Sequence, residues 1–234
     1  MPIFVETGLR TNSGMAGNVL ENLRSLSPGI DVVALFSTSG SKARYVDVKS
    51  GHHLLRVDVD QPVSPLTVET LGAIWKPFDA VIVSDYAKGY LDESILMEIR
   101  CRCFVDSIPL FIDTKRLLSG WAEHAIVKIN EAEFLHQLKK ITAPWSKCLH
   151  LIVTMGGDGM KLISRTGADA HHVPAIPIQV RDGAGCGDTV LAALVVRYLE
   201  NGGDLKDAMQ WAGKAGAVAV SKRGVVAVKR EEVQ

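Results

Sequence analysis

The chain has 234 residues, of which 47% are hydrophobic and 22% charged, with 26 basic side chains against 26 acidic ones. That balance gives no electrostatic reason to expect nucleic acid or an anionic membrane as partner, and the length can bury a substantial core in a single domain, taken as residues 1–234. No apolar run approaches the roughly 20 residues that cross a bilayer, the first residues lack an export signal, and Cys101, Cys103, Cys148 and Cys186 show neither C-x-x-C nor secreted-framework spacing, so a cytoplasmic protein with reduced thiols is expected.

In chain order, Ile3 to Thr7 reads as an exposed strand, Asn18 to Leu26 as a short helix, and Ala43 to Val48 and His53 to Val59 as two more exposed strands. The pattern then changes. Short, β-branched apolar runs at Ala80 to Val83, Leu110 to Ile112, Ala125 to Ile129 and Leu149 to Val153 read as buried parallel strands. Helical spacing falls between and after them, at Leu91 to Cys101, Glu131 to Leu138, Val190 to Tyr198 and Leu205 to Ser221. The alternation predicts an α/β layered domain with a mostly parallel sheet. Ligands of such sheets bind beyond the carboxyl ends of the strands, where Asp113, Asn130 and Thr154 would emerge. The paired histidines, His52-His53 and His171-His172, have no ligand partners at metal spacing and read as surface or strand positions.

The stretch Val180-Arg181-Asp182-Gly183-Ala184-Gly185-Cys186-Gly187-Asp188-Thr189-Val190 carries the most chemistry. Its glycines let an anion approach the main chain, and the helix that follows adds unpaired N–H groups and the positive end of its dipole. Asp188 is then placed to accept the proton of an attacking hydroxyl beside an anion hole, the arrangement a phosphoryl-transfer site needs. An ordinary glycine turn with an aspartate near a helix start has the same spelling. If the helix starts there, Cys186 sits where the local potential favours a thiolate.

Asp182 to Val190 resembles the D-x-T-G-A-G-D-T signature of the ribokinase-like, or PfkB, carbohydrate kinases. Further segments are similar to that family in the same order: Asn12 to Leu26 to its sugar-binding segment, Ile112-Asp113-Thr114-Lys115 to I-D-P-K, Asn130-Glu131-Ala132-Glu133 to N-x-x-E, and Val153 to Gly159 to V-T-x-G-x-x-G. Ser84-Asp85-Tyr86-Ala87-Lys88-Gly89 resembles a segment of the branch that phosphorylates D-glycero-D-manno-heptose 7-phosphate. The resemblance implies a three-layer ribokinase-like fold with a small β lid, the lid strands lying approximately at 1–10 and 42–60. It also implies an ATP- and magnesium-dependent transfer to a sugar or sugar phosphate, with Asp188 as base and the N–H groups of Gly185, Cys186 and Gly187 as anion hole. Lys115, Asn130, Glu133, Thr154, Gly156, Gly157 and Gly159 would lie along the nucleotide, with Asn130 and Glu133 organising Mg2+ through water. Gly14, Asn18, Asp85 and Lys88 would face the sugar, and the lid would pair two subunits into a homodimer. Each segment also has a local structural explanation: Asn130 with Glu133 fits a helix cap, Gly156 to Gly159 a hairpin turn, and Asn18 a cap of its own helix.

Departures from the family cluster in the first third. The chain opens at what resembles the first lid strand, without the preceding strand and its sugar-binding aspartate, and a second gap follows Phe36-Ser37-Thr38. Met15 stands for a glycine of the sugar segment, Cys186 for an alanine and Thr114 for a proline. A degenerate nucleotide-binding or dimerising relative is therefore the alternative to an active kinase, and a kinase for a smaller acceptor is a third reading.

Overall fold

The computed structural model describes residues 8–9, 11–12, 14–37, 40–50 and 52–233. The strand expected at Ile3 to Thr7 lies outside the described residues. Helix α1 (Ala16–Leu26) is followed by an antiparallel pair, β1 (Gly40–Val46) and β2 (His53–Asp60), in which Lys42 faces Asp58 and Tyr45 faces Leu55. A short helix, α2 (Val68–Ile74), leads into β3 (Val81–Asp85), α3 (Glu93–Val105), β4 (Leu110–Thr114), β5 (Ala125–Asn130), α4 (Glu131–Lys140) and β6 (His150–Thr154). Then come β7 (Met160–Ile163), β8 (Asp169–Val173), α5 (Cys186–Glu200) and α6 (Leu205–Val220).

Strands β3 to β8 form one six-stranded sheet in sequence order, parallel from β3 to β6 and antiparallel at β7 and β8. The four parallel strands and the helices between and after them follow the sequence reading to within a few residues. The two antiparallel strands and α2 do not appear in it. Lys161, His171 and His172 interrupt the apolar pattern of β7 and β8, and α2 has too few turns for helical periodicity to show.

Alternation along the strands divides the core into two layers. Phe111, Ile126 and Ile152 face α1, α5 and α6, packing with Leu23, Leu191, Leu194 and Met209. Their neighbours Ile112, Val127 and Leu151 face the other way, against Ile95, Ile99 and Trp121. Since side chains on a strand repeat every second residue, Asp113 shares the face of Phe111 and Lys128 that of Ile126. Both therefore lie on the α5 side of the sheet, at the carboxyl ends where the apolar stripe stops. Asp85 shares the face of Val83 and lies on the opposite side.

The lid pair has no such core. Every residue of β1 is exposed. One face carries Lys42, Arg44, Arg56, Asp58 and Asp60, and the other Ala43, Tyr45, Leu55, Val57 and Val59. The charged face is the one tied to the body, through an ion pair of 2.6 Å between Lys88 and Asp60 and through the Lys42 ammonium, 5.5 Å from the centre of the Tyr86 ring.

Candidate active site

Helix α5 begins at Cys186, with Gly185 as its cap at φ 76°. A side chain at 185 would be strained at that φ, and its Cβ would lie 2.7 Å from the Asn18 amide nitrogen and 2.9 Å from Val225. The turn before it is fixed from outside: the N–H groups of Arg181 and Asp182 donate to the Val220 carbonyl, and the Asp182 carboxylate accepts from the N–H groups of Ala184 and Gly224. Asp182 thus anchors the turn to the end of α6.

Helix geometry leaves the first-turn N–H groups without intrahelical acceptors, so they converge with the dipole at this end. Of the three groups expected to form the anion hole, that of Cys186 bends back to the Gly183 carbonyl at 3.4 Å. For Gly185 and Gly187 no acceptor is found among the described residues. Burial is the main influence on the Cys186 thiol and pushes its pKa up, with Lys128 opposing and Asp188 reinforcing. The thiolate expected from the helix terminus alone is therefore not favoured, because burial strips the group of hydration.

Asp188 is 6% exposed. Asn18 of α1 donates to it at 2.9 Å and to the Gly185 carbonyl at 3.2 Å. The Asn18 side-chain oxygen in turn accepts from Asn22 at 3.1 Å, and Asn22 accepts from the Val228 N–H at 3.1 Å. Asn18 does not cap its helix; it lies inside α1 and orients Asp188. Burial pushes the Asp188 carboxyl from its ordinary 3.8 up to about 6; Asp113 adds to the rise, while the Asn18 hydrogen bond, Lys128 and Lys115 oppose it.

Gly14, Asp85, Lys88, Lys115, Gly185 and Asp188 all line one open cleft of about 3280 Å³ between lid and sheet. Gly14 is exposed, and its carbonyl accepts from Gly17 as α1 begins. Met15, standing where the family has glycine, holds φ 55° there, a conformation uncommon for a side-chain-bearing residue. Asp85 is committed elsewhere: its carboxylate pairs with Arg116 at 2.5 Å and accepts from Thr114 and from the Ala87 N–H, so it secures the 85–91 loop. Tyr86, at the head of that loop, lies beneath both Lys42 and Lys115, with Lys115 4.9 Å from the ring centre. Burial first, then the negative charges of Asp188, Asp113 and Glu133, raise its phenol well above the usual range and keep it protonated.

Lys115 also lines a second cavity of about 270 Å³ with Asn130, Glu133 and His136. Asn130 and Glu133 form a reciprocal cap at the start of α4, each accepting the other's backbone N–H, at 2.8 and 2.9 Å. The remaining Glu133 oxygen pairs with Lys115 at 2.8 Å. Among the described residues no group of three or more His, Cys, Asp or Glu is placed to hold a metal ion. Thr154, Gly156, Gly157 and Gly159 line neither cavity. They end β6 and form its turn into β7, which the Met155 N–H closes onto the Gly159 carbonyl at 2.7 Å.

Lys128 is the functional candidate that sequence reading missed. It is 4% exposed and pairs at 2.7 Å with Asp113, 14% exposed. Its ammonium lies 3.2 Å from where a Cβ at Gly187 would stand. The available signal was a single charge inside the apolar run Ala125-Ile126-Val127-Lys128-Ile129.

Comparison with known proteins identifies the family and the fold. Residues 62–231 match the model of the pfkB family carbohydrate kinase. The bifunctional protein HldE of Bradyrhizobium diazoefficiens is 30% identical over 283 residues, covering 100% of this chain and 56% of that protein. The HldE of Rhodopseudomonas palustris strain BisB18 is 32% identical over 243 residues, covering 94% of this chain and 49% of that protein. The chain thus spans about half the length of the curated relatives it matches. The Bradyrhizobium alignment is longer than the chain, so that relative carries internal segments with no counterpart here. Among solved structures, phosphofructokinase-2 from Escherichia coli superimposes with a TM-score of 0.70 at 16% identity, covering 99% of this chain and 91% of that one. The ligand-free nucleoside kinase of Burkholderia thailandensis gives 0.68 at 19% identity, covering 100% and 88%. These likenesses establish the ribokinase-like fold with its small antiparallel lid, and the chain belongs to the pfkB family of carbohydrate kinases.

Proposed function

We propose that this protein transfers the γ-phosphate of ATP to a hydroxyl of a phosphorylated sugar of the heptose 7-phosphate type. The observation that carries the reading is Asp188: a buried carboxylate in the first turn of α5, oriented by Asn18 and adjoining the Gly185 and Gly187 N–H groups, for which no acceptor is found among the described residues. In this reading Asp188 takes the proton of the acceptor hydroxyl as that oxygen bonds to the γ-phosphorus. The bond from phosphorus to the bridging oxygen breaks, and its electron pair leaves with ADP. With a pKa of about 6, Asp188 is mostly ionised at neutral pH and still basic enough to accept the proton. The first turn of α5 stabilises charge on the phosphoryl oxygens, and Asn130 and Glu133 would hold Mg2+ through water, where it would neutralise charge on the nucleotide.

The phosphorylated acceptor is supported by the HldE relatives and by Lys42 and Arg44 of the lid, which adjoin the cleft. A homodimer through the lid is supported by its other face, on which Tyr45, Leu55, Val57 and Val59 are 40% to 58% exposed. A two-stranded sheet is at best marginally stable by itself, and pairing would bury those side chains. No helix among the described residues is long and apolar enough to cross a membrane, and a reaction that draws on ATP fits the cytoplasm.

The test is magnesium-dependent ADP release from ATP across sugars and sugar phosphates, including D-glycero-D-manno-heptose 7-phosphate. Release stimulated by a sugar phosphate supports the reading. If ATP binds and no acceptor stimulates release, the degenerate nucleotide-binding reading replaces it.

A further inference from the structure

The two lysines that the resemblance places along the nucleotide and facing the sugar have acidic partners of their own, Lys115 with Glu133 of α4 and Lys88 with Asp60 of the lid. We infer that Lys128 is the cation that contacts the transferred phosphoryl group, and that Asp113 is the residue that positions it. The inference rests on the reading of the Gly185–Asp188 turn as the site of phosphoryl transfer.

The placement follows from strand register. Asp113 and Lys128 are direct partners across the parallel pair β4 and β5, on the face covered by α5. An ammonium taken out of water costs several kcal/mol, and replacing a buried ion pair with apolar side chains is often neutral or stabilising. Ahead of the pair, strands β4 and β5 are apolar along this face, at Phe111 and Ile126. Packing therefore does not call for a charge here. An ammonium has three donors, and among the described residues Lys128 has one partner, Asp113. Its Nζ abuts Gly187, 3.2 Å from where a Cβ would stand, so the bare glycine lets the ammonium and the first turn of α5 share one small space. The charge is felt at both neighbours of Gly187, lowering the pKa of Cys186 and of Asp188 against the effect of burial. A cation, unpaired N–H groups and a helix N-terminus thus converge beside the base. As the acceptor oxygen bonds to the γ-phosphorus and the bridging bond breaks toward ADP, negative charge spreads over the phosphoryl oxygens between them. The two free donors of Lys128 are placed to bind those oxygens.

Equilibrium binding of ADP and of a non-hydrolysable ATP analogue, both with Mg2+, tests this without any acceptor. In Lys128→Met the ATP analogue should weaken at least about 10-fold while ADP changes less than about twofold, since only the former carries the γ-phosphate. Equal weakening of both nucleotides, or none, overturns the assignment. Lys128→Met leaves Asp113 buried and unpaired and can unfold the chain, so Asp113→Asn/Lys128→Met, which removes both charges, is measured alongside and should show the same split. Asp113→Asn alone should shift the ratio in the same direction by a few-fold, whereas a purely structural role would move both nucleotides together. If neither nucleotide binds the wild type, the transfer-site reading falls and this inference with it. If both bind with the expected split and no sugar is phosphorylated, only the acceptor assignment fails.

Discussion

The lid and the sheet ends handle charge in opposite ways. On the lid, Arg56 pairs with Asp58 and Lys88 with Asp60, and all four side chains are more than a third exposed. At the sheet ends, Arg116 with Asp85 and Lys128 with Asp113 are held in pairs whose side chains are 4% to 21% exposed. Exposed pairs contribute little and rearrange freely, whereas breaking a buried one leaves a charge without water. The lid pairs can therefore rearrange, while the Lys128 and Asp113 pair holds a fixed field beside Asp188. On the proposed function, recognition and chemistry would be divided between an adjustable surface and a rigid one.

Substitutions on the two sides should separate accordingly. The largest effect belongs to Asp188→Asn, which should lower kcat by about 10²- to 10⁴-fold with nucleotide affinity nearly unchanged. The wild-type rate should fall on the acid side near pH 6, as Asp188 takes up its proton. A variant turning over at the wild-type rate would remove the base from Asp188. Next, Gly185→Ala should push Asn18 off Asp188, with a loss in kcat of about 10²-fold and a destabilisation of about 1–3 kcal/mol. Steady-state kinetics and denaturant unfolding read the two separately.

A third prediction concerns stability alone. The folded chain holds the Asp188 proton more tightly than the unfolded chain, so this contribution to stability is complete below pH 3.8 and is lost as pH rises through about 6. Asp188→Asn lacks that loss and should be the more stable protein above pH 6, by up to about 3 kcal/mol, the gap closing toward pH 4. Urea unfolding at pH 4, 6 and 8 measures it, and a gap that stays constant with pH would contradict it. The smallest effect is expected on the lid. Lys88→Ala should cost less than about 1 kcal/mol and leave kcat within a few-fold, acting mainly on the KM of the acceptor. A fall in kcat as large as that for Gly185→Ala would break the division between the two regions.

The sheet ends were legible because their signals are local. Short β-branched runs marked β4, β5 and β6, and the glycine turn marked the start of α5 together with Asp188. Roles that depend on distant partners were not. Asp85 lines the cleft, and its tie to Arg116, 31 residues later, had no signal in the sequence. Asn18 likewise reaches Asp188 across 170 positions. Lys128 carried no spacing motif, since its role comes from its register with Asp113 and from α5 arriving above both. Asn130 with Glu133, and Gly156 to Gly159, show how a motif residue also satisfies a local backbone requirement: the first two form a helix cap and the glycines a hairpin turn.

The hydrogen-bond chain from Asp188 through Asn18 and Asn22 ends on the backbone of Val228. During synthesis α1 emerges first and α5 long afterwards, yet the amide that fixes Asn22 belongs to a segment made later still. The network that orients Asp188 is therefore complete only once the segment carrying Val228 has been made and has packed against α1, so on the proposed function an incomplete chain would hold that carboxylate without its final orientation.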